Sequence, residues 1–192
     1  MTRRLNQGIY STLAQLHRQG RNLMSSGDFN QAEEMAAAML KLHGEDLEGL
    51  GLMLDSLLAQ GRVQDALPAA ERLTILTPQD YSAHYKLGKL LFELEDVPGA
   101  AIHFEAALEL EPPDHLQREL GQVIELLDRL QARQILTLAS EDTLFRMELR
   151  DDLEATLDDH GYHLSQDGLR RLAQFDLSQL GTSRAKRGLL PN

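Results

Sequence analysis

Seven histidines, 30 acidic residues and no cysteine bound the chemistry open to this chain of 192 residues. Without a thiol there is no disulfide framework, no thiolate zinc site and no cysteine nucleophile. His160 and His163 come nearest to a metal pair, with Asp158 and Asp159 beside them. They straddle Gly161, so they do not share a helical face, and no carboxylate stands at a fixed ligand spacing. His160 also has a simpler account, because a cation at a helix C-terminus is favoured by the helix dipole. Asp151 and Asp152 are sequence neighbours, as are Asp158 and Asp159. On a helix such neighbours point apart and cannot act as a general acid and base on one bond. No glycine-rich phosphate loop and no nucleophilic serine motif is present. The reading is a non-enzyme with no catalytic residue, no metal and no cofactor.

Recognition chemistry is better represented. Three sets of side chains recur 34 residues apart: His17, Gly51 and Tyr85; Arg21, Asp55 and Lys89; Met24, Leu58 and Phe92. Placed on one face, Arg21 and Lys89 would flank Asp55 above an apolar floor of Met24, Leu58 and Phe92. That composition suits an extended or helical peptide with an apolar stripe and an acidic end. The alternative, that Met24, Leu58 and Phe92 are packed core, stays open at this point.

The elements that would position these groups follow from the same period. Tyr81 to Asp114 reads as two helices. Tyr85, Leu87, Gly88, Leu91 and Phe92 lie on one side of the first. Asp96 then caps the second, and Pro98 sits in its first turn, where proline sacrifices no hydrogen bond. Ala100, Ala101, Phe104, Ala107 and Leu108 form its apolar face, and Pro112 with Pro113 ends it. Shifted by 34, Ala100 falls on Ala66 and then Ala32, Leu91 on Leu57 and Leu23, and Gly61 on Gly27. Three units are thus in register without insertion: 13–46, 47–80 and 81–114. A fixed period of this size implies an all-α solenoid of antiparallel helix pairs.

These residues resemble the tetratricopeptide repeat family. The matches are Gly20, Leu23 and Ala32 in the first unit, and Leu57, Ala66 and Pro78 in the second. In the third they are Gly88, Leu91, Ala100, Phe104, Ala107 and Pro112. Leu54 departs from the pattern in a small-residue position, and Gly44 replaces the closing proline. The resemblance implies that the solenoid winds right-handed and that a protein or peptide client is held in a groove lined by His17, Arg21, Met24, Asp55, Leu58, Tyr85, Lys89 and Phe92. Some members clamp the acidic C-termini of heat-shock chaperones with Lys, Arg and Asn side chains. Only Arg21 and Lys89 are of that kind here, and Asp55 would repel a carboxylate, so that co-chaperone activity is not expected.

After the repeats, Asp114 caps a helix over 115–134 whose stripe of Leu116, Leu120, Val123, Ile124, Leu127 and Leu130 closes the stack. The solenoid domain is therefore drawn as 1–134, with Ile9 and Tyr10 covering its other edge. Ile135 to Ala139 reads as a connector. A small helical domain spans 135–180, with a helix-start signal at Ser140-Glu141-Asp142-Thr143, interrupted at Gly161 in a left-handed cap and resumed at Ser165. Leu169, Leu172, Ala173 and Phe175 are expected to face inward there. Phe145, Arg146, Leu149, Leu153, Leu157, Gly161, Tyr162, Leu164, Ser165 and Leu172 resemble helical segments of leader peptides of ribosomally made natural products. A disordered tail is expected over 181–192.

The net charge of −11 disfavours a phosphate backbone as partner. No apolar run is long enough to span a membrane, and the start has no signal-peptide core, so a cytoplasmic location is expected. The first functional reading is a scaffold, adaptor or assembly chaperone. A second makes the C-terminal segment a recognition element, or a precursor, in a peptide-modification pathway. A third makes the chain a homodimer through a seam of Phe145, Leu149, Leu153, Leu169 and Leu172.

Overall fold

The computed structural model describes residues 2–180, all of them in helices or short connections, with no strand among them. The chain divides into two compact units, Met1–Glu95 and Asp96–Asn192. The division falls inside the third repeat. Residues 181–192, for which a tail was expected, lie outside the described residues. No described helix is long and apolar enough to cross a membrane.

The first unit holds α1 (Thr2–Ser26), α2 (Phe29–Leu42), α3 (Leu47–Ala59), α4 (Val63–Leu76) and α5 (Tyr81–Glu93). Each helix packs on the next, and α1 also meets α3. Short polar residues stop and start them. Asp28 accepts from the Gln31 amide at 3.2 Å, Asp46 from Gly49 at 2.8 Å, and Asp80 from Ser82 at 2.9 Å, each satisfying an orphan donor of a first turn. The hairpin turns need a left-handed residue. Gly27 and Gly61 supply it at φ 79° and 72°, and Glu95 occupies the same repeat position at φ 64°.

The core of this unit is built from Leu50, Leu54, Leu57, Ala66, Ala69, Ala70, Leu87 and Leu90. The repeat alanines Ala32 and Ala66 are fully buried, and so is Leu54, absorbed into the core in spite of its size. Gly20 has a clear steric reason. A Cβ there would lie 2.3 Å from Leu52 Cδ2, so Leu52 of α3 packs in its present rotamer against α1 at a point where the side chain is missing. One expectation fails at the start of the chain. Helix α1 begins at Thr2, with 25 residues against 14 in α2. At about 1.5 Å per residue it outreaches its partner by roughly 16 Å. No proline interrupts that stretch, and Ile9 and Tyr10 are exposed on it instead of covering an edge.

The second unit holds α6 (Val97–Glu109), α7 (Asp114–Glu141), α8 (Thr143–Asp151), α9 (Leu153–Asp159) and α10 (Gln166–Ala173). Asp96 caps α6, accepting from the Gly99 amide at 3.0 Å. Helix α7 is one element of 28 residues, with Pro113 and not Asp114 at its N-cap. It runs through residue 134 and through the supposed connector, because the buried stripe Leu120, Ile124, Leu127, Gln131, Ile135 and Ala139 never loses helical spacing. Leu130, assigned to that stripe from sequence, is exposed.

The far half of α7 is what the C-terminal helices cover. Ile135 and Ala139 form a core with Phe145, Leu149, Leu157, Leu164 and Leu172, with Leu153 and Leu169 packed against it. This corrects the dimer seam. Phe145, Leu149 and Leu172 are 1, 3 and 5 % exposed, so the apolar face is satisfied within the chain and is not free to pair with another. Ala173 and Phe175, expected inside, are exposed. Gly161 takes the left-handed conformation at φ 72°, and Ser165 caps α10 by accepting from the Gly168 amide at 3.1 Å.

Candidate functional site

The face shared by α1 and α3 carries the recurring polar residues. His17 is held from both sides: Nε2 lies 2.9 Å from Asp46 Oδ2 and Nδ1 2.8 Å from Glu48 Oε2. Asp46 is already the cap of α3, so one carboxylate fixes the start of α3 and its register against α1. Arg21 Nη1 approaches Glu48 at 3.4 Å. Below these groups lies an open cavity of about 550 Å³, lined by His17, Arg21, Met24, Ser25, Met39, Glu48, Gly51, Leu52 and Asp55. On its far side Asp55 Oδ1 accepts from Lys86 Nζ of α5 at 2.8 Å. Across the outer turns, Glu33 of α2 accepts from Gln60 at 2.9 Å and Arg62 at 2.7 Å. The Gln60 bond first, and then Arg62, hold the Glu33 carboxyl below its ordinary range, against the opposing effect of desolvation.

The second unit has a polar joint between α7 and the segment leading into α10. Asp128 is 3 % exposed and accepts from Ser165 N at 2.9 Å, Ser165 Oγ at 2.6 Å and Arg171 Nη2 at 3.4 Å. One helical turn on, Gln131 grips the backbone of His163, accepting from its N–H at 2.9 Å and donating to its carbonyl at 2.5 Å. The His163 ring reaches Glu105 on α6 at 3.2 Å. That hydrogen bond raises the His163 pKa in spite of partial burial. His160 goes elsewhere: its ring stands edge-on to Phe145, centroids 4.6 Å apart, and Nε2 is 3.7 Å from Glu148. The two histidines serve different carboxylates, and no cluster suited to a metal ion occurs among the described residues.

A family model described as tetratricopeptide repeat matches residues 52–115. Residues 52–115 therefore carry tetratricopeptide repeat sequence. Solved structures agree on the fold. The Yersinia enterocolitica type III secretion chaperone SycD, in complex with a peptide of the translocator YopD, aligns with a TM-score of 0.56 at 17% identity, over 61% of this chain and 92% of that one. PcrH, in complex with the chaperone binding region of PopD, aligns with a TM-score of 0.56 at 20% identity, over 62% and 92%; a further PcrH match is from Pseudomonas aeruginosa. The Sgt2 TPR domain from Aspergillus fumigatus gives 0.55 at 21% identity, over 62% and 81%. No curated protein matches the chain.

The cavity gathers His17, Arg21, Met24 and Asp55, while Leu58, Tyr85, Lys89 and Phe92 do not line it. Leu58 packs against the core of its own unit. Phe92 is 44% exposed, and Lys89 lies 5.6 Å from the centroid of the Tyr85 ring, a cation–π contact. The expected arrangement of Asp55 between Arg21 and Lys89 is corrected on both sides. Asp55 takes Lys86 as its cation, and Arg21 turns to Glu48. Glu48, Leu52 and Lys86 were not singled out by the 34-residue pattern: Leu52 and Lys86 share one repeat position but differ in type, one apolar and one charged, and Glu48 stands at another. For Leu52 a signal existed: a glycine on α1 asks for a large side chain opposite.

Proposed function

We propose that the chain is a non-enzymatic adaptor or assembly chaperone that takes up a segment of a client protein on the α1–α3 face. The observation that carries this reading is the open cavity of about 550 Å³, lined by His17, Arg21, Met24, Gly51 and Asp55. Its lining mixes apolar floor and polar rim, as peptide-binding faces built from helices do. The peptide complexes of SycD and PcrH support the reading by likeness of fold. The acidity of the chain argues for a protein client over a nucleic acid.

The test is selection of peptides from a random library displayed on phage, against the immobilised full-length chain. Met24→Glu puts a charge on the cavity floor at a half-buried position. It is expected to weaken the selected peptides at least about tenfold, the scale of burying an unpaired charge, with helical circular dichroism unchanged. Peptides that bind the variant as well as the wild type would place the binding face elsewhere.

A further inference from the structure

We infer that the segment held on this face is anchored by one large uncharged side chain, leucine, methionine or phenylalanine, seated in the notch over Gly51, and that ion pairs contribute little to its hold. The inference rests on the cavity being the binding face, and it names what that face selects.

The first observation is a glycine without a structural reason. Gly20 and Gly49 sit where a Cβ would meet Leu52 Cδ2 at 2.3 Å and Asp46 Oδ2 at 3.0 Å. Gly51, in the middle of α3, has nothing within 4 Å of where a Cβ would stand and no left-handed φ. A glycine at such a place weakens the helix relative to alanine, and here neither packing nor backbone geometry requires it. Its effect is to leave open space in the lining of the cavity, whose apolar members are Leu52, Met24 and Met39. Methionine side chains adapt to the shape of an apolar guest.

The second observation is that the charges around the notch already answer one another. His17 has a carboxylate on each ring nitrogen, Arg21 has Glu48, and Asp55 has Lys86. His17 and Asp46 are largely covered, at 16 and 14% exposure; a charged ligand would have to displace the exposed Arg21–Glu48 or Asp55–Lys86 pair to form another of the same kind, and that exchange returns almost nothing. An uncharged side chain filling the notch displaces no ion pair and removes apolar surface from water.

The test uses the peptides selected on the full-length chain, fluorescein-labelled and followed by anisotropy. Three results are expected. A single Leu, Met or Phe recurs at one position, and alanine there weakens binding more than about tenfold. The Kd moves less than about threefold between about 50 and 500 mM NaCl, where exposed ion pairs would be screened. Gly51→Leu, which adds bulk where no atom stands within 4 Å of the Cβ position, loses binding while the melting temperature holds or rises. A consensus of acidic or basic residues with steep salt dependence would overturn the inference and leave the binding face standing. Peptides indifferent to both Gly51→Leu and Met24→Glu would overturn both. A dimer of the full-length chain abolished by Gly51→Leu would put a second copy in the notch, and would also overturn it.

Discussion

Glu95 shows how a repeat exposes a single unfavourable residue. Gly27, Gly61 and Glu95 stand at equivalent places, and all three adopt the left-handed conformation. For the two glycines this is free, whereas a residue with a Cβ is held there at a cost of about 1–2 kcal/mol. Part of that cost is offset by the greater freedom glycine has when unfolded. Glu95→Gly is therefore expected to stabilise the chain by about 0.5–1 kcal/mol, read as a shift in the urea midpoint at constant slope. A destabilised variant would mean that the Glu95 side chain makes up the difference. The turn position itself was legible, because Gly61 falls on Gly27. The pairing of Asp55 with Lys86 was not, since a period of 34 says which positions are equivalent and nothing about the rotation that brings one helix face against the next.

At the scale of the element, the sequence shows that an apolar face exists and not what covers it. The stripe of Phe145, Leu149 and Leu172 is compatible with a second chain, yet the far half of α7 covers it. Reading Ile135 to Ala139 as a connector hid that half of the helix. The same joint carries two predictions. Asp128 accepts three hydrogen bonds at 3 % exposure. Asp128→Ala strands the Ser165 amide and hydroxyl, so a loss of about 2–3 kcal/mol is expected in urea unfolding. A loss below half of that would mean that water replaces the carboxylate. His163 adds a pH dependence. Its pKa is raised in the folded chain by Glu105, with Asp158 and Asp128 adding to the effect, against desolvation. The His163–Glu105 pair therefore stabilises fully below the unfolded value of about 6.5 and stops doing so as pH rises through the higher native value. The melting-temperature difference between wild type and His163→Gln is expected to be larger at about pH 5.5 than at about pH 9. A difference independent of pH would show that His163 acts only through its neutral form.

At the scale of the molecule, two electrostatic effects oppose each other, and their magnitudes decide the sign of the salt response. The ion pairs of the described surface, such as Arg62 with Glu33 and Asp65, Arg72 with Glu45, and Lys86 with Asp55, are largely solvent-exposed. Pairs of that kind contribute about 0–1 kcal/mol each, and salt weakens them. Against them stands a net charge of −11 on a chain of pI near 5.0. That excess repels itself whenever the chain is compact, and salt screens it over a length that falls from about 30 Å at 0.01 M to about 8 Å at 0.15 M. Each carboxylate without a cation gains from screening, while the few pairs lose little, so the self-repulsion dominates. The melting temperature is expected to rise by a few degrees between about 0.01 and 0.3 M NaCl. The same excess predicts no retention on immobilised DNA even at the low-salt end. A melting temperature that falls with salt would mean that the exposed pairs hold the helices together more firmly than their exposure implies, and would make the Arg62 pairs with Glu33 and Asp65 the first to remove.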